Sequence, residues 1–428
     1  MFESMRTPAS LLPLALSIAT GSLCAEEWPQ YRGPQTNGTT QEKIAPAWGP
    51  GGPKQLWKVP SDGGFSSFAV GGGRVFTLAL KESEGAKQES IIALDSATGK
   101  ELWFSPLNFP KYDGGGDAGT DSNKGGDGPR STPTVSGDRV YALSSQLALN
   151  CYETATGKVI WTRDLLKEHS GRNIQWQNAA SPLLEQGMLF VAGGGPGESL
   201  LAIDAKTGAV VWKAFDEKMT HATPVVATIL GERQVIFFLQ SGLLAVEPNT
   251  GRELWRYGFD YKISTAASPV VEGDVVYCSA GYGVGAGAVR INRKGDRFEA
   301  VEIYRARGNK PLANHWSTPV AAGGHLYGMF QFKEYGQGPL KCVEMATGNV
   351  KWEQPGFGPG HVILASNKVL ALSDAGDLVL IDAVATGYKE LARAHVLEGK
   401  CWTTPVVAGG KIYARSTREA VCLEAPAP

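Results

Sequence analysis

The 428-residue sequence has no excess of charge of either sign: 41 lysines and arginines are well mixed with 42 aspartates and glutamates, for a formal net charge of −1. No basic stripe is offered to nucleic acid or to an anionic membrane, which argues against both as partners. Long apolar runs are missing after residue 23, so no later segment has the roughly 18–20 residues of a spanning helix and the mature chain is expected to be soluble. Cysteine is scarce, at six residues. No helical periodicity stands out either. What abounds is glycine (54) and proline (25), spread along the chain among Val, Ile and Trp, the composition of many short strands joined by tight turns.

The N-terminus starts with Met1 and Arg6, runs through apolar residues 11–23 and reaches small residues at Cys24 and Ala25 before the acidic Glu26 and Glu27. That pattern predicts a signal peptide over 1–25 and an exported protein, periplasmic or secreted. Gly21, Ser22 and Leu23 do not make the cleavage box of a lipoprotein ahead of Cys24, so lipidation is not expected. Removing Cys24 leaves Cys151, Cys278, Cys342, Cys401 and Cys422, an odd number that argues against a full disulfide framework even in an oxidising compartment.

Self-comparison organises the rest. The stretch ALDSATGKELW at 93–103 recurs at 151–161, 202–212, 245–255 and 342–352, with weaker copies at 289–304 and 381–391 and a fragment at 55–59, a period of about 50 residues. Each copy reads as a hairpin: an apolar strand ends at Asp or Glu, Thr-Gly supplies the positive φ of a turn, and a second strand ends in Trp. Between hairpins a Ser/Thr-Pro start leads into another apolar pair, at Pro133, Pro182, Pro224, Pro269, Pro319 and Pro405, and in degenerate form at Phe68 and Val362. Eight starts and eight outer strands predict an all-β, eight-bladed propeller over residues 55–424, between an extension at 26–54 and a tail at 425–428. The last blade begins at Trp402 and lacks its own outer strand, so residues 55–59 are expected to supply it and close the ring. Cys151, Cys342 and Cys422 fall where other copies have Ala93, Ala202 and Ala245, a small buried position.

The unit Ala-x-Asp-x-x-Thr-Gly-x-x-x-Trp resembles the PQQ-like repeat of the quinoprotein alcohol dehydrogenase-like superfamily, over about residues 57–423. The opening motif at 28–34 (WPQYRGP) and the segment at 126–133 (GDGPRSTP) are similar to exported bacterial PQQ-binding-like repeat proteins. The resemblance implies one of two roles: a non-catalytic scaffold of the BamB type, or a dehydrogenase using PQQ with calcium. The adjacent cysteines of true quinoprotein alcohol dehydrogenases have no counterpart here, nor is there a Cys-x-x-Cys-His for covalent haem. No cofactor is therefore assigned, and the leading expectation is a monomeric binding or scaffold module for a protein or glycan partner, an oxidoreductase being the alternative.

Departures from the repeat locate the candidate site. Directly before the Pro position stand Ser67, Thr132, Ser181, Thr223, Ser268, Thr318, His361 and Thr404, so His361 alone breaks a ring of hydroxyls whose simplest role is bonding nearby backbone. Three places before it stand Phe65, Arg130, Ala179, His221, Ala266, Trp316, Pro359 and Trp402, a set too varied for a symmetric framework. With the neighbouring Trp176, Asn178, Asn314 and His315, these positions predict a channel mouth that stacks and hydrogen-bonds a polar, ring-shaped ligand such as a sugar or quinone. His221, His315 and His361 lack the local spacing of a metal site, and no metal is assigned. The Gly/Asp-rich segment at 113–127 reads as a loop near the mouth, and the glycine run at 281–287 as a β-turn and not a phosphate loop.

Overall fold

The computed structural model describes residues 1, 27–46, 48–109, 128–261, 265–295, 297–308, 311–330 and 338–426. The expected signal peptide with Cys24, and the insertion at 113–127, lie outside them. Among the described residues the chain forms eight sheets, each built on an antiparallel blade of four strands, one of them with a fifth, parallel strand at its edge, arranged as an eight-bladed propeller. In blade 1 the strands are Ala69–Gly71, Arg74–Ser83, Ala86–Asp95 and Glu101–Asn108, from the channel outward. The ring closes as the strand count requires. Blade 8 takes Val406–Ala408, Lys411–Arg415 and Glu419–Glu424 from the C-terminal end and Gln55–Pro60 from the N-terminal end, with Trp57 opposite Cys422 and Val59 opposite Ala420.

The repeat motif is a docking device between blades. The Trp57 ring packs on Gly99 of the next blade's turn and donates Nε1–H to the Ser96 carbonyl (3.1 Å); Trp103 does the same with Gly157 and the Thr154 carbonyl (3.0 Å). Gly99 is needed twice over. Its φ of +72° favours glycine, and a Cβ there would lie 2.7 Å from the indole. The acidic residue sets the turn: Asp95 Oδ1 accepts from the Thr98 N–H (2.8 Å) and hydroxyl (2.8 Å), bonds that lower its pKa. A bulge before the Trp brings it opposite the small residue, as Trp161 faces Cys151 and Trp212 faces Ala202. Two weak copies shift by one residue under this register: Tyr304 pairs with Ala288, not Val289, and in blade 7 the pair is Leu380 with Ala392, not Ile381 with Leu391. Both turns are longer than the standard one.

The extension before the propeller is part of the fold. It visits seven of the eight blades. Trp28 bridges Val70 of blade 1, the Pro29 carbonyl accepts from the Val135 N–H of blade 2 (2.7 Å), and Gln30 bonds Leu184 of blade 3. Thr36 bonds Val226 of blade 4, Arg32 the carbonyls of Thr318 and Pro319 in blade 6, and Thr39–Thr40 pairs in parallel with blade 7. Glu42 accepts from the Gly409 and Gly410 N–H groups of blade 8. This strap closes one end of the channel.

Candidate functional site

Above the strap the channel is a cup of about 930 Å³, counted out to its solvent-open mouth. Its polar framework is the hydroxyl ring. The N–H of Ser67 donates to Thr132 Oγ1 (3.1 Å), that of Thr132 to Ser181 Oγ (2.8 Å), that of Ser181 to Thr223 Oγ1 (2.9 Å), that of Ser268 to Thr318 Oγ1 (3.0 Å) and that of Thr404 to Ser67 Oγ (2.7 Å). Each hydroxyl therefore stitches its blade to the neighbouring backbone, which is why the position repeats. His361 takes the hydroxyl's place in blade 7, its Nδ1 3.2 Å from Thr404 Oγ1.

One step nearer the mouth the rings form a belt. Phe65 lies 5.2 Å from Trp402, Trp402 4.9 Å from Trp316, Trp316 5.2 Å from His315 and His315 4.7 Å from Tyr282, between ring centroids. Tyr282 then stacks on Trp176 at 6.3 Å and 8°, and Trp176 is 6.4 Å from His221. Arg130 of blade 2 also lines the cup and donates to the Trp176 carbonyl. Backbone strain gathers here: Trp176, Gln177 and Tyr282 are non-glycine residues at φ 65°, 64° and 55°.

Seven of the nine expected mouth residues line this cup: Arg130, Trp176, His221, His315, Trp316, His361 and Trp402. Asn178 and Asn314 do not. Asn178 is buried and bonds the carbonyls of Ser144 and Ala180 and the Ala180 N–H, while Asn314 bonds the Met329 carbonyl and the Tyr277 hydroxyl. Both hold loop backbone behind the wall, where polar groups without water need internal partners. Tyr31 and Tyr282 line the cup and were missed. Tyr31 sits in the motif at 28–34, noticed only for its resemblance, and Tyr282 in the glycine run read correctly as a turn.

The three histidines are neutral at physiological pH. Burial pulls His221 down to about 3, helped by the Arg130 charge; burial brings His361 to about 3, helped by Arg32; and burial alone brings His315 to about 4. Among the described residues no group of His, Cys, Asp and Glu could hold a metal ion. The described cysteines are all free and buried, and burial raises their pKa, to about 11 for Cys151 and Cys342. Among the described residues no carboxylate lines the cup. Calcium takes carboxylate and carbonyl oxygens, so this donor set does not fit a quinone held with calcium.

A family model described as the outer membrane protein assembly factor BamB matches residues 87–354. The chain belongs to this BamB-type, PQQ-like repeat family. It is similar to the outer membrane protein assembly factor BamB of Shewanella oneidensis, 24% identical over 265 residues, and to that of Moranella endobia, 22% identical over 341. The first match covers 59% of this chain and spans just under two thirds, 64%, of the relative; the second covers 75% and 80%. In fold the BamB-type chain is similar to the crystal structure of BamB from Moraxella catarrhalis (TM-score 0.57, 15% identity, covering 86% of this chain and 97% of that one). It is equally similar to the quinohemoprotein alcohol dehydrogenase of Comamonas testosteroni (TM-score 0.60, 12% identity, covering 94% and 81%). One architecture thus accommodates both an assembly factor and a dehydrogenase, and the site residues must distinguish them.

Proposed function

We propose that this protein is an exported, monomeric propeller scaffold that engages a protein or glycan partner through the cup at its channel mouth. The observation that carries the reading is the belt from Phe65 to His221, an aromatic wall closed by Arg130 around an open cup. Concave aromatic surface with a few oriented polar groups suits binding. Among the described residues the neutral histidines have no acid beside them in the lining and the thiols are buried, which favours binding over an oxidoreductase. The relatives named as outer membrane protein assembly factors support a protein-holding role at the cell envelope. Among the described residues no helix is long and apolar enough to cross a membrane.

Peptide and glycan arrays probed with the wild type, Trp316→Ala and Trp402→Ala test the reading. Binding is expected to fall at least tenfold in both variants, and unchanged binding in both would remove the mouth as the contact surface. Titration with PQQ and calcium, followed by dye reduction with alcohols and sugars, is expected to give no turnover. Tight binding with turnover would replace the scaffold by an enzyme.

A further inference from the structure

We propose that the deep tier of the cup seats one neutral sugar ring, either the end of a glycan chain or a free monosaccharide. The inference rests on the mouth-binding reading and names its ligand class.

The walls are the first argument. A hydroxyl has one donor hydrogen and two acceptor lone pairs. Ser67, Ser181 and Thr223, in blades 1, 3 and 4, line the cup and are only 4%, 2% and 5% exposed. Each spends one lone pair on an N–H of the neighbouring blade, that of Thr404, Thr132 and Ser181 in turn, and none of the three donates to a described residue. A donor and an acceptor position are therefore left on each, and buried polar groups need partners. Thr404, in the same tier, is committed to His361 Nδ1 at 3.2 Å. A sugar hydroxyl both gives and takes a hydrogen bond, so a polyhydroxylated ring matches what these walls leave over.

The floor is the second. Tyr31 lines the cup from the strap, and its hydroxyl has no hydrogen-bond partner among the described residues. The chain on either side is fixed, Gln30 to Leu184 of blade 3 and Arg32 to the carbonyls of Thr318 and Pro319 in blade 6. The ring therefore holds its place without the hydroxyl, which is left to a ligand as a further donor and acceptor. The strap also closes the channel at this end, so a polymer does not thread through, and what enters is a chain end or a single unit. The side chains of this tier are neutral, the His361 imidazole included, because burial, helped by the Arg32 charge, lowers its pKa to about 3. Arg130, nearer the mouth, already donates to the Trp176 carbonyl. An ionised ring finds no formal partner among the described residues of the tier, whereas a neutral one lays its C–H face on the indoles of the belt.

The full chain is titrated by calorimetry with D-glucose, D-galactose and D-mannose, with a linear trisaccharide of each, and with the three corresponding uronates. At least one neutral sugar is expected to bind, severalfold tighter than its uronate. Tighter binding of the trisaccharide assigns a chain end as the occupant and equal binding a free sugar, and either bears the proposal out. Tyr31→Phe is expected to melt as the wild type does and to lose about three- to tenfold in affinity, the worth of one hydrogen bond between neutral groups. No binding by any neutral sugar, tighter binding of the uronates, or unchanged affinity in Tyr31→Phe overturns the inference. Should Tyr31→Phe not fold, Thr223→Ser, expected to keep the affinity, and Thr223→Val, expected to lose it, decide. A Trp316-dependent peptide or glycan on the arrays without any binding of the neutral sugars would sink this inference and keep the mouth-binding reading; neither a sugar nor a Trp316-dependent ligand would sink both.

Discussion

Trp176 and Tyr282 stack across the mouth at 8° and 6.3 Å although they belong to different blades, and each is held in the left-handed backbone region, at φ 65° and 55°. A bulky residue at positive φ costs about 1–2 kcal/mol, a cost that persists where the surroundings enforce it. Tyr282 is also 54% exposed, so packing does not repay it in full. Tyr282→Gly is therefore expected to leave stability within about 1 kcal/mol, strain relief offsetting lost ring contact, while the affinity of any cup ligand falls severalfold. Urea denaturation beside a binding titration checks this; a large loss of stability with unchanged affinity would show that the ring serves folding.

The docking glycines offer a controlled pair. Gly157 (φ +73°) would place a Cβ 2.5 Å from the Trp103 ring, whereas Gly72 (φ +58°) has nothing within 4 Å. Gly72→Ala should cost only the backbone term, about 1–2 kcal/mol. Gly157→Ala adds an overpacking cost of about 1–3 kcal/mol and should be clearly the worse of the two in urea melts. Equal costs would mean that the indole gives way easily.

Ring closure depends on Trp57 as much as on backbone pairing. Trp57→Ala removes a buried indole that packs on Gly99 and Tyr413 at the seam between the two chain ends, and is expected to cost about 3–5 kcal/mol. Limited proteolysis should then cut first near residues 55–60. An unchanged cleavage pattern would show that the strap holds the ring without the seam.

Acid should loosen the cup before it titrates the carboxylates. His221, His315 and His361 are buried neutral, with pKa values of about 3, 4 and 3 against about 6.5 in the unfolded chain. Below pH 6.5 the unfolded state binds protons that the folded state refuses. Their stabilisation is fully present above pH 6.5 and is lost as pH falls, at up to about 1.4 kcal/mol per histidine per pH unit. His395 works the other way, its pKa raised by Asp377 and Glu398. The net expectation between pH 6.5 and 5 is falling stability, less steep in His361→Gln. Thermal melts across that window check it, and a flat profile in the wild type would show that the imidazoles reach water.

Much of the architecture was legible because the docking unit needs particular residue types at fixed spacing. A turn that must bend at positive φ and receive an indole admits only Gly99 and its equivalents, and a register that seats Trp161 opposite Cys151 admits only a small residue there. Such constraints repeat with the blades and survive in the sequence. Cup-lining positions were legible for the opposite reason: Arg130, His221, Trp316 and Trp402 stand where the repeat varies. Asn178 and Asn314 fooled the same logic, since proximity along the chain does not say which way a side chain turns once nearby carbonyls compete for it.

By itself, then, the sequence determined the blade count, the closure by residues 55–59 and the level of the channel at which the lining varies from blade to blade, because each follows from periodicity and local turn geometry. Only the tertiary structure decided that residues 28–44 floor the channel, that Tyr31 and Tyr282 complete its lining, and that Arg32 and Arg415 lie buried beside it. Those facts depend on contacts between segments far apart in the chain, such as Arg32 with Pro319, and no local pattern records them.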